Sequence, residues 1–437
     1  MTRTIYFHID EVARDSIVAA HLRKALLPHG VEVDYGGRLK SYGLREHHPY
    51  DALVFPSVDL MRAYFASPEE IVEPVIILPT EGVGGICYNP ERLALHLLGM
   101  DFVRGDRRWA ERVDVHALWS RLHFDNVQLY APHLAPRCRL VGHPRHDRAC
   151  LDALMAQATP SASSDGRIKV GMITRFDGIN AYDGRGVIRA VYESRRRYNY
   201  EFTHLDNDLD IEDLMYLLLV DMRVMFDIID RLNPETHEAV IRVHPRENRD
   251  RWTELLRSYK VNARLAPIDE AFIPWLRSMD YFISPPSTTF YDSYAIGKPG
   301  ICTMNLAPKR ARHVLHYGEE KARILEQAPS PSSIDELLAL IATREPSFDV
   351  SVTGKVAEVM AYEAGYPESG HAIANLAQVC LDVMAASPLS PTNGAPRFAR
   401  PRLWEKPDPE QASENEQSAT FTLTKDRRRW INAMAGL

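Results

Sequence analysis

The sequence predicts an α/β protein made of two Rossmann-like domains facing a cleft. Three observations carry this. Short apolar strands alternate with helical patterns over residues 1–158 and again from Ile168 onward, the alternation of a parallel sheet. Between the two runs lies Thr159-Pro160-Ser161-Ala162-Ser163-Ser164-Asp165-Gly166, with the composition of a linker. In the second run, two apolar strands end in small polar or ionisable residues, His244-Pro245-Arg246-Glu247-Asn248 and Ser287-Thr288-Thr289. Open parallel sheets build their ligand sites at such carboxyl ends.

The first domain spans 1–158. Thr4 to Ile9 reads as a strand and Glu11 to Leu27 as a helix with apolar residues near helical spacing. After Pro28 and Gly30, Val31 to Tyr35 returns as a strand. Ala52 to Phe55 and Val75 to Leu78 are further short strands, and Val127 to Leu129 and Leu140 to Val141 read as the last ones. The second domain spans 167–386 and opens with strand Ile168 to Thr174. A long amphipathic helix runs from Ile211 to Leu232 and stops before Asn233-Pro234. Strand 239–243, helix 250–259, strand Ala263 to Leu265, helix Ile268 to Ser278, strand 281–283 and a helix after Thr289 follow. Residues 334–343 and 368–385 read as helices. The tail, 387–437, is rich in Pro, Ser, Asn, Glu and Gln to Ser418 and reads as extended. Within it, Thr420 to Ala435, with Trp430, is expected to re-form a helix and dock. Two such halves with a cleft between them are the GT-B architecture.

At 437 residues, two or three domains are expected. A hydrophobic content of 45% and a charged content of 25% are those of a soluble globular protein. The net charge of -7 argues against nonspecific nucleic-acid binding. Five cysteines without a CxxC pair suggest reduced thiols in a cytoplasm. No apolar run reaches the ~20 residues that span a bilayer, so membrane contact would be peripheral, at the inner face. The N-terminus reads as a strand, not a signal peptide. There is no HExxH, no Cys/His quartet and no DxD between apolar strands, so neither a divalent metal nor another cofactor is expected. The acidic run Asp206 to Asp210 fits a helix N-terminus better than an ion site.

Several residues fit chemistry at the strand ends. The imidazole of His244 donates to a phosphate oxygen if Pro245 fixes the turn that aims it, with Arg242, Glu247 and Asn248 around it; the alternative is a structural histidine. Ser287, Thr288 and Thr289 suit an anion or a helix N-cap, and both use the same orphan N–H groups. Asp292, one turn on, suits the hydroxyls of a ribose or simply favours the first turn, and Lys298 faces a phosphate or solvent. In the first domain, Glu81 follows a strand beside Gly82, Gly84 and Gly85, where a general base for an acceptor hydroxyl would sit; a solvated loop carboxylate is the alternative. Asp10 and Arg14, with His8 and Asp15, lie near the end of strand one and face the same cleft, although Asp10 also suits a helix cap. Asp177 suits an acid, base or nucleophile, and Asn180 a donor to ligand. Asp183-Gly184-Arg185-Gly186 lacks GxGxxG spacing, and Arg195-Arg196-Arg197 reads as a solvated helix end.

Taken in order, Phe7 to Asp15, Leu78-Pro79-Thr80-Glu81-Gly82, Val141-Gly142-His143-Pro144-Arg145-His146-Asp147, Ile241 to Asn248 and Ser287-Thr288-Thr289 with Asp292 and Lys298-Pro299 resemble bacterial surface carbohydrate biosynthesis proteins. The resemblance runs over residues 5–310. The His-Pro motif followed by a Ser/Thr run is also similar to that of bacterial sialyltransferases and Kdo transferases. What this implies is a GT-B-like glycosyltransferase of capsule or O-antigen assembly. Donor phosphate would lie on His244, Ser287, Thr288 and Thr289, with Glu81 or Asp177 as catalytic carboxylate. The donor would be a nucleotide-sugar, CMP-linked in the nearest analogy, and the acceptor a glycan or glycolipid. Asp292 stands where relatives often carry Glu, and bulky Phe290-Tyr291 follows the Ser/Thr run. A polyol-phosphate transferase of teichoic-acid type, a sugar-nucleotide epimerase and a non-catalytic scaffold of a polysaccharide complex are the competing readings.

Overall fold

Each half of the chain is organised by a parallel sheet. The computed structural model describes residues 3–10, 12–37, 50–62, 64–65, 67–79, 94, 98, 108–157, 166–176, 178–182, 184, 211–245, 247–268, 270–298, 300–308, 323–349, 351–366 and 368–386. They fall into two units. The first holds the described residues up to Ala153 and those from Met360 on, and the second runs from Leu154 to Val359.

The first sheet contains β1 (Arg3–His8), β2 (Val31–Gly36), β3 (Ala52–Phe55), β4 (Val75–Ile77), β5 (Val115–Leu118) and β6 (Cys138–Leu140). All are parallel, in the order β2-β1-β3-β4-β5-β6. Every residue of β3 is buried, as expected of a strand covered on both faces, which reads as an unbroken apolar run. Helix α1 (Val12–Leu26) connects β1 to β2.

Two sequence expectations change here. Val127 to Leu129 is not a strand but part of helix α2 (Arg121–Tyr130). Ser120 starts that helix, its Oγ accepting the His123 N–H at 3.3 Å. Val127 is buried while Leu129 is 69% exposed, although residues two apart share one face of a strand and oppose each other on a helix. The missing strand is β5, Val-His-Ala-Leu, hidden by a polar residue at its centre. Burial pushes the pKa of His116 down to about 4, so it sits in the sheet as a neutral ring.

His116 therefore makes the first unit acid-sensitive. Its folded pKa lies below the value near 6.5 of an exposed imidazole, so the unfolded chain binds more protons between those limits and stability falls as pH drops through that window. Urea midpoints at pH 7 and pH 5 are expected to differ less in His116→Phe than in the natural chain. An equal difference would remove His116 from this role.

The second sheet contains β7 (Ile168–Ile173), β8 (His237–Arg242), β9 (Ala263–Leu265), β10 (Tyr281–Ser284) and β11 (Gly300–Cys302), in the order β11-β10-β7-β8-β9 and all parallel. Counted within the unit, this is the 3-2-1-4-5 order of a Rossmann sheet, whose direction of winding reverses between β7 and β10. On one face, Ile168, Val170, Met172, Ile241 and Ile283 pack with Ile228 and Ile229 of helix α3 (Ile211–Arg231). On the other, a Cβ at Gly171 would lie 2.6 Å from Met279 Cγ and 3.1 Å from the Trp275 ring, so only glycine lets these side chains rest on β7. Helix α4 (Arg249–Tyr259) follows β8. The helix expected from Ile268 begins instead at Phe272 as α5 (Phe272–Arg277); Ile268 is 77% exposed and Ala271 is still extended. Helix α6 (Thr289–Ala295) follows β10.

The last helices return to the first unit. Helix α7 (Gly354–Ala364) leads into α8 (Ala372–Ala386), which packs on α1, β3 and β5. Asp147 accepts the Ile373 N–H at 2.9 Å, and Asn375 donates to the Val141 carbonyl at 3.1 Å. The boundary drawn at 386 thus moves to near 359, because an apolar stripe tells that a helix is covered and not by which sheet. The tail 387–437 and its expected docking helix lie outside the described residues, as does Cys87. The other four cysteines are free and buried, and burial pushes the thiols of Cys138 and Cys380 up to about 12 and that of Cys302 up to about 11. Among the described residues, no helix is long and apolar enough to cross a membrane.

Candidate functional site

The ends of β10, β7 and β8 lie side by side, with Ile283 opposite Met172 and Ile173 opposite Arg242. The segments leaving them are cross-linked. Thr174, the residue after β7, donates its N–H to the Arg242 carbonyl at 3.1 Å. Its hydroxyl oxygen accepts the His244 N–H at 2.9 Å. Next to it, Arg175 donates to the Pro286 carbonyl at 3.1 Å and to the Asp221 carboxylate of α3 at 2.8 Å. The loops carrying His244 and Ser287 to Thr289 are therefore both tied to residues 174 and 175.

Glu247 is the hub of the His-Pro loop. Only 4% exposed, it accepts the Phe176 N–H at 2.8 Å and the Trp252 indole N–H at 2.9 Å. Burial pushes its carboxyl pKa up, while hydrogen bonds from Thr174, Trp252 and Phe176 and the nearby His244 imidazole act the other way. Asn248 donates its N–H to the Asn180 carbonyl at 2.9 Å, and the Asn180 side chain donates back to the Asn248 carbonyl at 3.1 Å. Asn248 also caps α4, its Oδ1 accepting the Arg251 N–H at 3.1 Å. Glu247, Asn248 and Asn180, expected as ligand groups, thus join the loop after β7 to the loop after β8. Pro245 stands exposed between His244 and Glu247.

Arg242 and Lys298, expected as donor-binding residues, hold backbone carbonyls. The Arg242 guanidinium donates to the Glu270 carbonyl at 2.8 Å and lies over the Phe272 and Trp275 rings, 5.7 and 5.6 Å from their centroids. Lys298 donates to the Met279 carbonyl at 2.6 Å, and burial lowers its pKa. A basic residue near a strand end carries charge in the sequence, but not the direction of its side chain.

The 287–289 loop is half-exposed. Thr288 takes the capping position without a side-chain cap bond, and Ser287 Oγ accepts the Thr289 N–H at 3.3 Å. The Thr289 hydroxyl is buried and finds no hydrogen-bond partner. Helix α6 has only seven residues, and Asp292 is buried in its first turn. In the first unit, His8 Nδ1 lies 3.1 Å from the Tyr64 hydroxyl, and the exposed Asp10 donates its N–H to the Asp15 carboxylate at 3.1 Å. Glu81 and Asp177 fall outside the described residues, as does the Arg14 side chain.

Sequence reading missed Thr174, Arg175, Asp221 and Trp252. A signal existed for the first two, which follow β7 as Val243 and His244 follow β8. Asp221, a lone carboxylate on the apolar side of α3, was legible only as an exception to its pattern.

Two Rossmann-like α/β units in one chain define a fold of the GT-B class. No family model matches the sequence, and no curated protein does. Among solved structures, the chain is similar to the wall teichoic acid polymerase TagF, with a TM-score of 0.51 at 10% identity over 88% of this chain and 89% of that one. A histidine-to-alanine variant of TagF gives 0.50 at 11% identity over the same shares. The UDP-GlcNAc 2-epimerase of Methanocaldococcus jannaschii, solved with UDP-GlcNAc and UDP, gives 0.45 at 11% identity over 87% of this chain and 100% of that one. At such identities the likeness is one of fold.

Proposed function

We propose that the chain is a GT-B-type glycosyltransferase that takes a nucleotide-activated sugar on its second unit and transfers it to a cell-surface polysaccharide or lipopolysaccharide acceptor. One observation carries this reading. The second sheet reverses its winding between β7 and β10; the Ser287–Thr289 loop leaves β10 at that point, and the His244 loop, leaving the next strand β8, is tied to it through Thr174 after β7. Doubly wound sheets hold phosphate-bearing ligands at this place.

In this reading His244 and the hydroxyls of Ser287, Thr288 and Thr289 receive the donor phosphates. Their part is to stabilise charge that grows on the leaving group, which fixed donors do without reorganising. Thr174 and Glu247 hold the His244 backbone, which places the imidazole at the end of β8. Asp292 takes the ribose hydroxyls, and Glu81 or Asp177 is the catalytic carboxylate. No divalent metal is invoked. The acceptor is a glycan or glycolipid, reached at the cytoplasmic face of the membrane.

A second reading, a polyol-phosphate transferase, is favoured by the likeness to the wall teichoic acid polymerase TagF, at TM-scores of 0.50 and 0.51. It uses the same histidine and hydroxyls and differs in what the nucleotide carries.

Thermal stabilisation by CMP, CDP, UDP, GDP and ADP tests the common part, because a ligand of the native state raises its melting temperature by mass action. One nucleotide is expected to act selectively, and His244→Ala to weaken it about ten-fold or more, the worth of one lost charge-assisted hydrogen bond. Turnover of that nucleotide linked to a sugar or to a polyol phosphate then separates the two readings. Silence across the whole panel would sink both.

A further inference from the structure

A second His-Pro-Arg loop, His143-Pro144-Arg145, follows β6 in the first unit and takes no part in the reading above. It forms a tight turn over Pro144–His146. His143 and His146 are 4% and 1% exposed, and Trp119, just after β5, is 3% exposed. The His143 ring lies against both, with centroid separations of 3.9 Å to Trp119 and 4.0 Å to His146, the latter nearly parallel at 17°. His143 Nδ1 accepts the Arg145 N–H at 3.2 Å, and its Nε2 lies 3.4 Å from the Arg145 guanidinium. Donors thus face both nitrogens of a ring that, when neutral, accepts at one only. Burial, then electrostatic repulsion from His146, Arg145 and His123, hold the His143 pKa well below its ordinary value.

Among the described residues, no carboxylate is paired with Arg145, and the Arg145 Nε is buried without a hydrogen-bond partner. Asp147 is the carboxylate nearby in sequence, and its oxygens are taken by the N–H groups of Ala149 and Ile373, both at 2.9 Å. The Trp119 indole N–H is likewise buried and unpartnered. Orphaned buried donors and an uncompensated guanidinium are costly. Proteins retain such groups where a ligand completes them. The carboxyl end of a parallel sheet is where such a ligand arrives, and the half-buried Arg145 gives it access.

We propose that Arg145, His143 and Trp119 form an anion site at the carboxyl end of the first sheet, and that it receives a phosphate group of the acceptor substrate. The assignment to the acceptor rests on the transferase reading; the binding of phosphate does not. Arg145 supplies the charge, its Nε–H and the Trp119 indole N–H supply hydrogen bonds, and the neutral His143 turns its Nε2–H toward the anion as the guanidinium leaves it.

Inorganic phosphate is the probe, titrated into the full chain labelled with 15N at histidine. His143→Gln assigns the His143 ring signals. These are expected to shift saturably with phosphate, and not with chloride at matched ionic strength, in the natural chain and in His244→Ala alike. Arg145→Met should weaken the response about ten-fold or more, the usual loss with one charged hydrogen-bond donor. Arg145→Lys, which keeps the charge and guards against a folding defect, should fall between. A His143 ring that ignores phosphate, answers chloride or acetate equally, or responds unchanged in Arg145→Met overturns the site. Nucleotide stabilisation read on the same samples separates this test from the donor site. A phosphate response at His143 without any nucleotide response keeps the anion site and removes the transferase reading.

Discussion

Gly365→Ala is expected to unfold the first unit at markedly lower temperature. Gly365 has φ +68, and a Cβ there would stand 2.2 Å from the Trp119 carbonyl oxygen, 3.3 Å from its carbon and 3.4 Å from Gly142 Cα. The left-handed backbone alone costs an alanine about 1 kcal/mol. The clash is the greater part, since both opposing groups are backbone and no rotamer change relieves it. Main-chain movement of the segments after β5, β6 and α7 would be required together, so a total of about 4 kcal/mol is expected, in the range reserved for a named steric cause. Thermal or urea unfolding followed through the first unit checks this. Nucleotide stabilisation of the second unit should survive at low temperature. An unchanged midpoint would mean that the turn around Gly365 adapts freely.

Glu247→Ala is expected to weaken the second unit almost as much and to abolish nucleotide binding. The substitution leaves two buried donors, the Phe176 N–H and the Trp252 indole N–H, each worth about 1–3 kcal/mol when orphaned. It also removes one of the ties between the loop after β7 and the loop after β8, leaving those of Thr174 and Asn180, so the His244 loop is held less firmly. Glu247→Gln keeps the shape but presses an amide N–H against one of those donors, and should retain the fold with weaker binding. The sign of the pH effect follows from burial. The folded carboxyl pKa is raised above the ordinary value of 4.5, so the native state binds more protons in the window just above it and stability falls as pH rises through that window. The stability advantage of the natural chain over Glu247→Gln should therefore shrink on going from pH 4.5 upward. An advantage that grows with pH would contradict the buried, hydrogen-bonded carboxylate.

The parts of the fold that the sequence revealed are those in which local pattern and burial agree. β3 announces itself because Ala52, Leu53, Val54 and Phe55 are covered on both faces. β5 stayed hidden because burial, and not composition, makes His116 acceptable in a sheet, and β11 because three residues, Gly300-Ile301-Cys302, hold no period. In the candidate site, His244 and the Ser/Thr run were legible as polar residues that end apolar strands. Their supports were not. Arg175 reaches Pro286 across 111 positions and Asp221 across 46, and no spacing rule brings such residues together. Lys298 and Arg242 show the converse: a charge was visible, yet its contacts with the Met279 and Glu270 carbonyls came only from packing. The Arg145 cluster escaped for a similar reason, since the stacking of His143 on Trp119 and His146 is a property of the fold and not of any segment.

The return of α8 to the first unit has a consequence for biosynthesis. Domains usually fold in the order in which the ribosome makes them, the N-terminal one first. Here residues 154–359 of the second unit are all made before 360–386, whereas Asp147 and Val141 wait for Ile373 and Asn375 to close the first unit. The domain begun first is finished last. During elongation α1 and β5 stand without their covering helix, so a chain stalled or cleaved near residue 359 would carry a complete second unit joined to an open first one.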